Sequence, residues 1–422
     1  MTWGRRRWLA MVPLAGALIG VGGARGEAVL GRSDISVSLR GDGWSGDRRL
    51  DDLGDIGVAS VWVKGTQAVD VLGGGVAFDA RLTGDTARRD KVQSKARVRE
   101  LYWRQRVGDV MLKVGRQITP WGRADGINPT DNLAPRDFTL LVPEDGDMHL
   151  GREAVQAVWD RGGQSWTLWW SPLLVAHEVP LPTLPMATYV RDENRHVSDW
   201  AVKWDQAAEG IDFSVSYFSG HELWPDVSLG ALSMTGARVN LDHGRTRVLG
   251  FDFSLTRGAI VWRGEAAWSQ PYSEGRPDFQ RKRPQVLAVA GPEWNGGSTT
   301  LGVQLILQRV FNFSSNSTSS LSPIEQGVAT LQSVLNNQTQ AFQYGVSARL
   351  SRRWLSDNLL TEVSLATLGP VQHGVIRTKV DYALDDRWHV QMGVERYWGP
   401  DDTFFGSLKK NSLAYIQWRC SF

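Results

Sequence analysis

From about residue 33 onward the chain is a succession of segments of about ten residues in which apolar and polar side chains alternate with period two. That period sends alternate side chains to opposite faces of a strand. In 164–171, Trp166, Leu168 and Trp170 share a face, with Ser165, Thr167 and Ser171 on the other. In 210–219, Ile211, Phe213, Val215 and Tyr217 oppose Asp212, Ser214 and Ser216. Leu301, Val303, Leu305 and Leu307 form a further apolar row, and Ile376, Val380 and Tyr382 face away from Arg377, Lys379 and Asp381.

Alternation of this kind fits a soluble sandwich with its apolar face inward or a membrane barrel with that face outward. Two features choose the barrel. The polar face repeatedly carries charge (Asp79 and Arg81, Glu100 and Arg104, Arg263 and Glu265), as a watery lumen allows. The apolar face carries tryptophan near segment ends, and the chain has 20 of them. Tryptophan favours the membrane–water interface, where its ring is half apolar and half polar. After residue 26 no run of apolar residues is long enough for a membrane helix of roughly 20 residues.

The N-terminus reads as an export signal. Arg5, Arg6 and Arg7 precede an apolar run from Trp8 to Gly23, followed by small residues at Gly22, Gly23, Ala24, Gly26 and Ala28. The run is short for a retained anchor. The expected division is a cleaved signal peptide over 1–26 and an outer-membrane β-barrel over 27–422, with cleavage after Ala24 or Ala28 also satisfying the pattern. Cleavage after Gly26 removes four of the 47 basic residues and leaves 43 against 45 acidic ones. So balanced a charge names no partner and argues against nucleic acid, which calls for a basic domain. The single cysteine, Cys420, excludes an internal disulfide.

The alternating segments number 18, near 33–41, 56–65, 73–83, 95–107, 110–117, 151–160, 164–172, 199–207, 210–219, 244–256, 259–269, 284–291, 299–310, 342–352, 358–368, 374–384, 387–396 and 412–422. The class is all-β, a transmembrane antiparallel barrel of about 18 strands, or 16 if weak segments fail. Short turns such as 107–109, 161–163 and 257–258 alternate with long connections, as periplasmic turns alternate with external loops. The last segment places Ala414, Ile416, Trp418, Cys420 and Phe422 on one face, and the chain stops on Phe422. This resembles the C-terminal signal that the barrel assembly machinery reads, with Trp418 and Phe422 as its aromatic anchors. Outer-membrane lipids are the other expected partner, and Cys420 reads as a small packing residue.

The long connection 118–150 is the most individual part of the chain. It holds Trp121-Gly122-Arg123, then Asn128-Pro129-Thr130-Asp131, then Pro135-Arg136-Asp137. Asn, Asp and Pro in this density build turns through side-chain to backbone hydrogen bonds, so the loop reads as ordered, and functional for its length. The expectation is a loop folded into the lumen, with Trp121, Arg123, Asn128, Asp131 and Arg136 at the constriction. Asp125, Asp131, Asp137, Asp145 and Asp147 match no calcium-loop spacing and read as turn acids. The seven histidines show no zinc-ligand spacing, six of them falling in expected loops or turns. No serine–histidine pattern singles out a catalytic site, so neither metal, cofactor nor catalytic residue is assigned. The serine- and asparagine-rich stretch 311–340 reads as a long external loop, with Ile324, Val328, Leu331 and Leu335 at helical spacing inside it.

Arg99-Glu100-x-Tyr102, Gly115-Arg116-Gln117, Trp121-Gly122 and Asn128-Pro129-x-Asp131 together resemble a group of uncharacterised porin-like outer-membrane proteins of proteobacteria. The resemblance spans about 60 residues and implies fold and location more than substrate. The functional expectation is a channel for small polar solutes. Its inward candidates are Arg99 or Glu100, Arg104, Lys113, Arg263, Glu265, Arg349, Arg377, Lys379 and Asp381, whose basic bias favours anions. The rival readings are an export conduit for a polymer such as an exopolysaccharide, and a non-conducting scaffold.

Overall fold

In the computed structural model the described residues are 30–422, apart from 51, 70–72, 89–90, 125, 184–186, 192–195, 234–235, 273–274 and 315–320. The expected signal peptide lies outside them. The chain forms β1 (Leu30–Trp44), β2 (Ile56–Val69), β3 (Gly75–Arg88), β4 (Lys91–Val107), β5 (Val110–Gln117), β6 (Arg152–Arg161) and β7 (Gln164–Leu173). After β8 (Ala187–Arg191) come β9 (His196–Ala208), β10 (Ile211–His221), β11 (Asp226–Ser233), β12 (Gly236–Asp242), β13 (Arg245–Arg257), β14 (Ile260–Pro271), β15 (Gln285–Gly296) and β16 (Thr299–Val310). Helix α1 (Pro323–Leu335) leads to β17 (Phe342–Trp354), β18 (Leu359–Gly369), β19 (His373–Ala383), β20 (Trp388–Trp398), the single turn α2 (Phe404–Ser407) and β21 (Leu413–Ser421).

Eighteen of these strands make one antiparallel sheet that closes on itself where β1 pairs with β21. All 18 coincide with the alternating segments, so the count of 16 is set aside. At the seam Val37 and Phe422 exchange backbone hydrogen bonds of 3.0 and 2.8 Å, so the C-terminal residue itself completes the closure.

The alternation runs opposite to that of a soluble protein. In β16, Leu305 is 61% exposed and its neighbour Gln304 only 7%. Leu249, Phe251, Met392, Val394 and Ile416 likewise face out, while Gln343, Gln391 and Gln417 are buried inside. An outward apolar belt over a polar interior is what a barrel in lipid requires. Trp166, Trp170, Trp268, Trp354, Trp388 and Trp418 belong to the belt. Trp44, Trp62, Trp121 and Trp169 do not; they are buried within, where arginines stack on three of them, Arg40 on Trp62 at 3.8 Å, Arg152 on Trp169 at 5.0 Å and Arg48 on Trp44 at 5.4 Å. Cys420 shares the parity of Ile416 and Trp418 but is small and buried, in register beside Trp388.

At the end of the barrel that carries the long connections, β8, β11 and β12 form a separate three-stranded sheet. Alpha-helix α1 lays Val328, Leu331 and Leu335 against Val227, Val239 and Leu241 of this sheet. Its start is fixed by a capping box, in which the Ser322 backbone N–H donates to Glu325 at 2.8 Å. The helical spacing within 311–340 is thus a packed helix. Four histidines lie in strands rather than loops: His196, His221, His373 and His389, three of them at strand ends.

Candidate functional site

The interior is organised by the connection 118–151. β4, which pairs with the strand before it, carries a bulge: Glu100 pairs with Asp79 and Val98 with Ala80, leaving Arg99 as the extra residue. A bulge adds one residue to one strand and re-aims its side chain. Parity alone leaves Arg99 and Glu100 as alternatives; with the bulge both point inward. Arg99 binds Asp79 at 2.8 Å and the loop carbonyl of Gly146 at 2.9 Å, and Glu100 accepts the Ile118 N–H at 3.0 Å.

The first limb of the loop packs on one side. Trp121 and Leu133 join a buried cluster with Ala154, Trp169, Ala201, Phe218, Val248 and Ala267, inward residues of β6 to β14. Beneath them Glu265 of β14, itself 3% exposed, takes the backbone N–H groups of Arg123 and Ala124 on Oε1, and the Thr130 hydroxyl at 3.1 Å on Oε2. Gly122 has φ +107°, and a Cβ there would stand 2.6 Å from Glu265 Oε1, so only glycine fits. Arg123 then reaches three wall carboxylates, Asp252 at 2.5 Å, Asp205 at 3.3 Å and Asp212 at 3.7 Å. Asp131 accepts from Trp121 and pairs with Arg136 at 3.5 Å. Burial pushes its carboxyl up to about 6 against the pull of Arg136. The Arg136 N–H donates to His177 Nδ1 at 2.9 Å, and burial together with the Arg136 charge holds that imidazole well below its usual range, hence neutral.

The second limb bonds to the other side. Asp147 pairs with Arg40 of β1 at 2.7 Å, Asp145 with Arg377 of β19 at 3.0 Å, and Glu144 with Lys379 at 3.3 Å and Gln391 at 2.6 Å. Asp137 pairs with Arg97 of β4 at 3.1 Å. The loop acids therefore neutralise wall arginines and lysines. Asp125 lies outside the described residues.

Two cavities lie along β14 to β20. A cavity of 1460 Å³ is bounded by Asn128, Asp131 and Arg136 of the loop and by Arg263, Arg349, Arg377 and Lys379 of the wall. A second, of 610 Å³, leads from Arg349 and Glu362 to Ser298 and Asp357 at the short-turn end. Arg349 and Glu362 border both and pair at 2.7 Å, with Lys379 3.7 Å from Glu362. Arg263 is held by Glu293 at 2.8 Å.

Of the inward candidates, Arg263, Arg349, Arg377 and Lys379 are thus brought together on one wall. Glu265 borders neither cavity, because the loop covers it. Arg104 and Lys113 sit opposite each other across β4 and β5, and Asp381 pairs with His389 at 3.1 Å; none of the three borders either cavity. Of the loop candidates, Asn128, Asp131 and Arg136 face the larger cavity, while Trp121 and Arg123 point into the opposite wall. Glu362 and Glu293 escaped the sequence reading. The in-register pairing of Arg349 with Ser364 and of Glu362 with Lys379 is the signal that would have found the first, and only strand pairing supplies it.

No family model matches the chain, and no curated protein does. Solved structures do. OpdK of Pseudomonas aeruginosa, an outer membrane protein, is 10% identical, aligns over 93% of this chain and 98% of its own, and has a TM-score of 0.56. OccAB1 of Acinetobacter baumannii is 7% identical over 94% and 98%, with a TM-score of 0.57. OccK7 (OpdD) of P. aeruginosa is 10% identical over 92% and 98%, at 0.52. At such identities the likeness is one of fold: the chain is a closed, 18-stranded antiparallel β-barrel with the overall fold of these proteins.

Proposed function

We propose that the protein is an outer-membrane channel for small polar solutes, with the loop 118–150 as its constriction and a mild preference for anions. The observation that carries the reading is the pair of cavities meeting at Arg349 and Glu362. Together they trace a route along β14 to β20, with charged side chains from Arg263 to Lys379 along it, on the side of the lumen that the first limb of the loop leaves unfilled. A route that shares the lumen with a packed loop suits small solutes better than a polymer. The larger cavity is lined by ten basic and eight acidic side chains, so its field is mixed with a small positive excess.

The test is conductance of the purified protein in planar bilayers, with selectivity from the reversal potential in a salt gradient. Small channels with a modest anion preference are expected. Deleting residues 126–143 should raise single-channel conductance, because a pore's resistance is dominated by its narrowest part. An unchanged conductance would place the constriction elsewhere, and a silent parent protein would favour the scaffold reading.

A further inference from the structure

We infer that Glu265 is the positioning residue that sets the width of the passage. This rests on the constriction reading and adds to it which wall group holds the loop in place. Glu265 sits on β14 two residues after Arg263, yet the two do different work, since Arg263 borders the open cavity and Glu265 is sealed beneath the loop. Both its oxygens are committed to one short stretch of chain. Oε1 accepts two consecutive backbone N–H groups, of Arg123 and Ala124. Oε2 accepts the Thr130 hydroxyl at 3.1 Å and, more weakly, its N–H at 3.5 Å.

A carboxylate is suited to this because it is acceptor-only, with room for about four hydrogen bonds. Every group hydrogen-bonded to it is a donor. An amide in its place would keep one oxygen for the two backbone N–H groups but turn an NH₂ toward the Thr130 N–H. The loop is matched to it: Gly122, at φ +107°, brings the chain so close that any side chain would overlap Oε1. Between the two sets of bonds, Ala124, Gly126, Ile127, Asn128 and Pro129 contribute to the wall of the 1460 Å³ cavity. The seat of the loop and the edge of the passage thus lie in the same part of the loop, and Glu265 is the wall carboxylate that binds its backbone from behind.

The proposal predicts a graded series in single-channel conductance: parent lowest, Glu265→Gln intermediate, Glu265→Ala highest and with frequent sub-conductance states. A residue needed only for folding would reduce the amount of heat-modifiable barrel without raising the conductance of the channels that do form. Gly122→Ala, which disturbs the same seat from the loop side, should behave like Glu265→Ala. The 126–143 deletion, run in parallel, separates the two readings. If the deletion raises conductance while Glu265→Ala conducts as the parent does, the seat is wrong and the constriction stands. If the deletion changes nothing, the constriction fails and this inference with it.

Discussion

Leu305 and Gln304 are adjacent in β16 and occupy opposite faces, which makes them the sharpest residue-scale test of the inside–outside assignment. Leu305 stands in the outward row with Val303 and Leu307 and is mostly exposed, to lipid in the membrane. A charge there must lose its hydration in hydrocarbon, so Leu305→Arg should destabilise the barrel by about 2–4 kcal/mol. Gln304 borders the larger cavity, where a guanidinium keeps water, and Gln304→Arg should be mild. Reversible unfolding titrations that gave the two variants equal losses would invert the assignment. At this scale the sequence was legible wherever parity was unbroken. It was ambiguous only at Arg99 and Glu100, because a bulge shifts parity without leaving a mark in a single sequence.

Among elements, β21 carries the clearest consequence. It pairs with both β20 and β1, and Phe422, the residue that follows it, meets Val37 across the seam. Deleting Phe422 removes the last pair of closing backbone bonds together with the aromatic end of the expected assembly signal. Folded, heat-modifiable protein in outer-membrane fractions should fall sharply on quantitative blots; undiminished levels would show that neither feature matters to insertion. The 18 barrel strands were all readable because each buries or exposes its own faces. The small sheet of β8, β11 and β12 was not. Its strands run for five, eight and seven residues, and β8 joins β12 in parallel across distant loops, so nothing local announces the pairing.

For the whole molecule, the wall charges and the loop charges must be weighed together. Arg377 and Lys379 line the larger cavity but are paired with Asp145 and Glu144 of the loop. Replacing both with glutamine therefore does more than subtract two positive charges. It leaves two carboxylates without those partners beside the passage, and selectivity should move toward cations. Reversal potentials measured at low salt, where screening is least, are the measurement. A ratio equal to the parent's would mean that these four groups do not face the conducting path.

The sequence by itself determined the class, narrowed the strand number to 18 or 16 and oriented the residues of its alternating segments, because a membrane-spanning sheet obeys a period-two rule that each segment states alone. It also marked 118–150 as the unusual loop, through its turn-forming composition. Only the tertiary structure decided what each charge does. Arg123 and Glu265 looked like lining and instead bond with partners 82 to 142 residues away, Arg123 to Asp205 and Glu265 to the 123–124 backbone. Those contacts depend on which walls a closed barrel brings opposite one loop, and closure is a property of the whole sheet that no segment encodes.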